Sequence, residues 1–314
     1  MRVAYLLLAF LSFAASAQPF PSKPVRIVIG FTPGGGIDTV ARLIGPRMSE
    51  SLGQPVVIEN KPGGAGAIGA DAVAKSPADG HTIFFGTMGN LAVNPLFLPN
   101  LPFDADKDFA PVTQVVSTTF MLFVNPSVPA GNVAEFIAYA KANPGKLNFC
   151  SAGNGGLPHL AAEAFASTAG FKATHVPYKG SAPCIADLIG GQIQFAFEAA
   201  TIGLAHVKSG KLRTLGTTTA KRVLPNVPTV SESVPGFEVD NWYGMVVPAG
   251  TPRAAIQRIR EEVVRAMNAP GIREKLLDLG QVPVGSSPEE FGAFVKSEGA
   301  KWIKVIREAK ITPG

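Results

Sequence analysis

Two kinds of hydrophobic pattern alternate along this chain. Residues 25–30 read V-R-I-V-I-G, a short β-branched run that predicts a strand. After F-T-P-G-G-G-I-D at 31–38, Val40, Leu43, Ile44, Met48 and Leu52 recur near the helical period, which predicts a helix over 39–52. The same reasoning gives a strand at 56–59, a glycine-rich turn at 63–69, a short helix at 70–75 and a strand at 82–86. The pattern restarts with strands at 121–124, 147–150, 174–177, 194–197 and 212–217. Between them come helices at 133–142, 158–169, 183–189 and 202–209. A further extended run at 241–247 precedes helices at 252–267, 272–279 and 288–309.

Strands that alternate with helices imply parallel sheets covered on both faces. Two such cycles predict an α/β fold of two doubly wound lobes. The first lobe comprises 18–120 and 241–314, and the second comprises 121–240. The chain crosses between them near 115–124 and 240–247, giving a two-crossing hinge. Ligand pockets form at such interfaces and at the carboxyl ends of parallel strands.

The ends and the composition narrow the role. Arg2 precedes an apolar run over 3–15, and Ala15-Ser16-Ala17 has the form of a cleavage site. The run is shorter than the roughly 20 residues that span a bilayer. Residues 1–17 are therefore expected to be a cleavable signal peptide that takes the chain out of the cytoplasm. Apolar residues make up 46% of the 314 and charged residues 16%, enough to bury two cores. The net charge of +5 is spread along the chain, which argues against nucleic acid and suits a small anionic ligand. Cys150 and Cys184 are an even pair in an exported chain, which suggests one disulfide, with two buried free thiols as the alternative. His81, His159, His175 and His206 are too scattered to suggest a zinc site, and no metal or cofactor is expected.

The candidate chemistry lies in two glycine-rich loops. In the first, glycines allow close backbone approach and the following helix offers N–H groups to an anion, so Phe31, Thr32, Pro33, Gly34 and Gly35 are candidate binding residues. The loop lacks the G-K-[ST] ending of a phosphate loop and the spaced glycines of a dinucleotide fingerprint. Asp38, at the expected helix start, is either a cap or a ligand contact. S-A-G-N-G-G at 151–156 repeats the arrangement in the second lobe and adds Ser151, Ala152, Gly153 and Asn154. Thr87, Met88, Asn90, Tyr178, Ser181, Phe197, Glu198 and Ala199 lie at or beside other strand ends. Glu198 repels an anion unless it works through water or meets a ligand amine or hydroxyl. His159, after Pro158, has either a structural or a supporting role at the site. Ser151 and His159 are the nearest approach to a nucleophile and base, but no G-x-S-x-G elbow is present, which argues against an enzyme.

Longer motifs add a family. P-S-K-P-V-R-I-V-I-G-F-T-P-G-G-G-I-D-T-V-A-R, G-Q-P-V-V-I-E-N-K-P-G-G-A-G-A-I-G-A-D-A-V-A and D-G-H-T-I-F-F-G-T occur in order. L-N-F-C-S-A-G-N-G, H-V-P-Y-K-G-S-A-P, G-K-L-R-T-L-G-T-T-T-A-K-R, L-P-N-V-P-T-V-S-E and V-P-A-G-T-P follow. The chain resembles the tripartite tricarboxylate transporter receptors, the Bug-type extracytoplasmic solute-binding proteins, over nearly its whole mature length. The resemblance implies a periplasmic-binding-protein-like Venus flytrap that acts as a monomer in the periplasm and hands a small carboxylate to the membrane subunits of a transporter. It implies that the loops matching Phe31–Asp38 and Ser151–Asn154 bind a carboxylate through backbone N–H groups and water, with variable contacts near Thr87 and Phe197–Ala200. The chain departs from it in having Glu198-Ala199 where Asp-Asn is frequent, and cysteine at 150 and 184. A ligand-sensing receptor that docks on a membrane sensor protein is the alternative, and a hydrolase comes third.

Overall fold

The β-branched and aromatic runs form the strands, and the glycine-rich loops after them open the helices. The computed structural model describes residues 20–98, 100–224, 226–308 and 311–312, so the expected signal peptide lies outside the described residues. The chain begins with β1 (Val25–Ile29), α1 (Gly36–Leu52), β2 (Val56–Asn60), α2 (Ala67–Ala74), β3 (Thr82–Thr87), α3 (Asn94–Phe97), α4 (Ala105–Asp108) and β4 (Phe109–Thr118). It continues through β5 (Phe120–Val124), α5 (Val133–Ala142), β6 (Asn148–Ser151), α6 (Leu157–Ala169), β7 (Thr174–Pro177), α7 (Ser181–Ile189), β8 (Phe195–Ala199), α8 (Ala200–Lys208) and β9 (Arg213–Thr217). It closes with β10 (Asn241–Pro248), α9 (Arg253–Met267), α10 (Ile272–Asp278), β11 (Gln281–Pro283) and α11 (Pro288–Glu308).

The strands form a six-stranded sheet, β11-β4-β10-β3-β1-β2, and a five-stranded sheet, β7-β6-β8-β5-β9. Pairing is parallel in β2-β1-β3 and in β7-β6-β8, as the alternating pattern predicts. The sheets are nonetheless mixed, because β10 runs antiparallel to β3 and β4, and β5 antiparallel to β8 and β9. The cause is the double crossing. β5 and β10 are the strands by which the chain enters each sheet from the other lobe. They enter from the cleft side, and so run against the strands whose carboxyl ends face the cleft. Two hydrogen bonds tie the crossings down, Thr119 N–H to Gly280 O at 2.9 Å and Val239 N–H to Thr218 O at 3.0 Å.

β4 and β11 are strands that periodicity does not reveal. β4 contains Pro111, has two register shifts against β10, and buries the polar Thr113 and Gln114, which bond to Ser286. β11 is three residues long.

Each lobe has a dense apolar centre, and the larger buried cluster runs on from Phe136 and Phe165 of the second lobe to Phe84, Trp242 and Phe291 of the first. In the first, the α1 stripe of Val40, Ile44 and Met48 packs with Ile27 and Ile29 of β1 and Ile259 and Val263 of α9. Full burial of each such side chain contributes about 2 kcal/mol. In the second, Phe136, Phe165, Phe195 and Phe197 pack edge to face or stacked, with centroids 5.1 to 6.1 Å apart. The alternation along β8 therefore puts Phe195 and Phe197 in this phenylalanine core, while Ala196 packs with Cys150 and Cys184 on the other face. Glu198 shares that second face by the strand period.

Candidate ligand-binding cleft

The first loop is braced by a buried acid. α1 begins at Gly36, three residues before the expected start, with Gly35 as an extended N-cap that offers no side-chain cap. Asp38 thus lies inside the first turn. Its carboxylate accepts hydrogen bonds from Gly34 N–H at 2.9 Å, Arg42 Nε at 2.8 Å and Asn60 Nδ2 at 3.0 Å. Burial opposes its ionisation, but these three donors outweigh burial and hold the carboxyl below the usual carboxylate range. Of the two roles expected for Asp38, the structure shows a brace turned away from the cleft. Behind the loop, a Cβ on Gly30 would come 2.5 Å from Gly66 Cα, so only glycine lets residues 63–69 lie against the end of β1. Asn90 ties this second layer to β3. Thr87 N–H donates to its Oδ1 at 3.1 Å, and its Nδ2 donates to Ala65 O.

The second loop is braced by neutral groups. The Ser151 hydroxyl lies 2.6 Å from His175 Nε2 and accepts from Gly153 N–H at 3.2 Å. His159 Nδ1 accepts from Gly155 N–H at 3.1 Å, and the two imidazoles stack with centroids 4.0 Å apart. Burial pushes His159 down to about 4, and burial together with His159 pushes His175 down to about 3, so both rings are neutral at pH 7. A disulfide joins Cys150 of β6 to Cys184 of α7, with Cα atoms 5.5 Å apart. It fixes the Ser151 turn relative to the N-terminus of α7.

The lobes meet over these loops. Thr32 N–H donates to Lys179 O at 3.4 Å, and a Cβ on Gly36 would sit 3.3 Å from Ala199 Cβ across the cleft and 2.7 Å from Tyr243 Oη of its own lobe. Between the lobes lies an inner cavity of about 40 Å³. Phe31, Gly35, Gly36, Ile37, Thr87, Asn241 and Tyr243 bound it from the first lobe. Phe120, Ala152, Gly156, Leu157, Pro158, Ser181 and Glu198 bound it from the second. An outer cleft of about 1040 Å³ opens beyond Ala152, between Thr32, Ala65 and Leu101 on one side and Gly153, Asn154, Tyr178 and Lys179 on the other. The inner volume holds a water or a few. A ligand of several heavy atoms enters only if the lobes part.

What the inner cavity presents is backbone. The N-termini of α1, α6 and α7 converge on it, and their N-caps, Gly35, Gly156 and Gly180, supply no side-chain cap. Free N–H groups and the positive end of each helix dipole favour an anion there. Among the described residues no Lys, Arg or His lines it, and its titratable groups are Glu198 and Tyr243. Glu198 is 2% exposed with Oε1 unpartnered. Burial pushes its carboxyl up to about 7, opposed by the Ser181 hydroxyl and the Ala199 N–H. Burial and the adjacent Glu198 push the Tyr243 phenol up.

Of the residues singled out in the sequence, Phe31, Gly35, Thr87, Ala152 and Glu198 line the inner cavity, with Ser181. Thr32, Gly153, Asn154 and Tyr178 line the outer cleft, although the Tyr178 hydroxyl donates to Asp187. Pro33, Gly34, Asp38, Met88, Asn90, Ser151, His159, Phe197 and Ala199 line neither. Met88 and Phe197 are core residues, because each falls on the inward face of its element. Ser151, His159, Asn90 and Asp38 are turned into the braces described above, and Ala199 packs toward Gly36. Sequence reasoning missed Tyr243, Asn241 and Phe120, and it covered Gly36 and Gly156 only as parts of the two loops, without singling them out. The third glycine of G-G-G and the Gly-Gly before Leu157 were visible signals. Nothing local marked Tyr243, which β10 carries in from the far end of the chain.

Known proteins share this fold. The family model described as tripartite tricarboxylate transporter family receptor matches residues 40–311. A UPF0065 protein from the tcbD-tcbE intergenic region of Pseudomonas sp. (strain P51) is 39% identical over 302 residues, which cover 95% of this chain and 90% of that protein. A solved R. palustris structure with adipate is 37% identical with a TM-score of 0.91, covering 94% of this chain and 100% of that one. MatC from Rhodopseudomonas palustris with bound malate is 31% identical with a TM-score of 0.87, covering 91% and 100%. The fold, the paired loops and these matches agree, and the chain belongs to the tripartite tricarboxylate transporter receptor family.

Proposed function

We propose that this chain is an extracytoplasmic receptor that closes two lobes on a small dicarboxylate and delivers it to the membrane subunits of a tripartite tricarboxylate-type transporter. The observation that carries this reading is the convergence of three helix N-termini without side-chain caps on one cavity lined by no cation among the described residues. Such a site holds a carboxylate with neutral donors and releases it when the lobes part. The adipate and malate found in two related structures support the ligand class. Residues 18–120 with 241–314 move against 121–240, and the contact of Thr32 with Lys179 belongs to the closed form. Residues 1–17 direct export to the periplasm, where the chain acts as a monomer. The role is binding and not catalysis, in keeping with a Ser151 hydroxyl that is buried on His175 and shapes its own turn.

The test is calorimetric titration of the mature protein with succinate, malate, adipate, monocarboxylates and neutral sugars, alongside small-angle scattering. The expected outcome is binding confined to carboxylates with compaction at saturation. Binding of sugars alone, or saturation without compaction, overturns the reading.

A further inference from the structure

Glu198 is at odds with an anion site. It sits on β8 with its carboxyl buried, one oxygen unpartnered, at the wall of the cavity on which the helix N-termini converge. The groups around it offer no compensating charge. β10 presents the phenol of Tyr243, α7 the hydroxyl of Ser181, and β5 pairs Met121 opposite it. The first turn of α1 contributes Gly36 and Ile37, while the carboxylate of Asp38 is taken up by Gly34, Arg42 and Asn60 on the far side. An ionised Glu198 beside a dianionic ligand would place like charges in a dry site with no cation, which a buried pair of carboxylates avoids by keeping one proton. Once protonated, Glu198 gains an O–H donor, and the unpartnered edge of the carboxyl becomes a place for a ligand oxygen.

We propose that Glu198 selects its ligand as a neutral acid: the receptor takes up one proton as it closes, and the Glu198 O–H donates to an oxygen of a ligand carboxylate. This rests on the dicarboxylate reading above. The proton comes from solvent and is held on Glu198, the ligand stays fully ionised, and opening the lobes returns both. Burial already pushes this carboxyl up to about 7, so the proton is within reach at neutral pH. A receptor built this way discriminates against ligands with an ammonium group at that position, because a protonated acid presents a donor to a donor.

Titration of the wild-type protein with succinate, malate, adipate and suberate between about pH 6.5 and 9 tests the proposal, because the ligands are ionised throughout. Calorimetry in buffers of different ionisation enthalpy counts protons without any variant. The expected result is affinity that weakens about tenfold per pH unit above about pH 7.5, since the competent protonated fraction falls in that proportion. Proton uptake then approaches one per ligand. Glu198→Gln, which keeps the shape and supplies an amide donor, is expected to bind with a flat profile and no uptake. Wild-type binding that is independent of pH, or that strengthens as pH rises, overturns the proposal and leaves the dicarboxylate reading standing. An unchanged slope in Glu198→Gln overturns it too. Failure of every dicarboxylate to bind at any pH in the range overturns both.

Discussion

The two cleft loops have the same outline and opposite chemistry. Each follows a parallel strand, turns on glycines and opens a helix toward the same cavity. The first is held by an ionised acid, Asp38, with Arg42 half-exposed behind it. The second is held by two neutral stacked histidines and a disulfide. The difference teaches how charge is managed around a reversible anion site. Both braces keep permanent charge off the inner wall, one by turning a charged pair outward and the other by using groups whose charge is suppressed by burial. A serine hydroxyl, a histidine nitrogen and a carboxylate thus do equivalent mechanical work, but they respond differently to acid and reductant.

The largest expected effect separates the loops by reduction. Replacing Cys150 and Cys184 with serine, or reducing them, opens a link across 34 residues. In the chain-entropy model this costs about 3–4 kcal/mol, read as a lower urea midpoint. The first loop has no covalent tie to lose, so its Asp38 bonds are unaffected by reductant. An unchanged midpoint would mean that the second loop is held by its hydrogen bonds alone.

Acid separates them next. The histidines have folded pKa values near 4 and 3, below the 6.5 of an open chain, so the unfolded state binds more protons as pH falls. Stability is therefore full above about pH 6.5 and lost as pH drops toward 3, with the pair contributing on the order of 3 kcal/mol of loss by pH 5. Asp38 responds in the same sense but in a lower window. Its depressed carboxyl keeps its contribution until pH falls below about 4. Unfolding midpoints measured from pH 7 to 5 are expected to fall steeply in wild type and in Asp38→Asn, and to lose about half of that slope in His175→Asn. An undiminished slope in His175→Asn would place the acid sensitivity outside the second loop.

The smallest effect concerns the glycines of the first loop. A Cβ at Gly35 meets nothing nearer than 3.9 Å, so Gly35→Ala is expected to shift stability by less than about 0.5 kcal/mol. A Cβ at Gly36 would collide with Tyr243 Oη inside the first lobe and come 3.3 Å from Ala199 Cβ of the second, so Gly36→Ala crowds the inner wall and weakens ligand binding about tenfold, or about 1.4 kcal/mol. Equal affinities in the two variants would remove Gly36 from the ligand-facing wall.

The sequence by itself determined the alternation of strands and helices, the placement of both glycine-rich loops at strand ends, and the pairing of their roles across two lobes. These are local matters. A period of two or 3.6 residues and a glycine at a turn act over a few positions, and nothing distant changes them. Tertiary structure decided which side chains reach the cavity. Asp38 reads as either a cap or a ligand contact until Asn60, from the next strand, and Arg42 draw it backward. Phe197 and Glu198 are neighbours in sequence, but only the packing of Phe165 and Phe237 against Phe197 shows which face of β8 is core and which is cleft. Ser151 has His159 nearer in sequence, yet bonds to His175 because β6 and β7 pair in parallel register. Tyr243 completes the inner wall because the returning strand enters the first sheet from the cleft side. Side-chain direction at such a site follows from how two sheets are crossed and packed, and no local pattern carries that information.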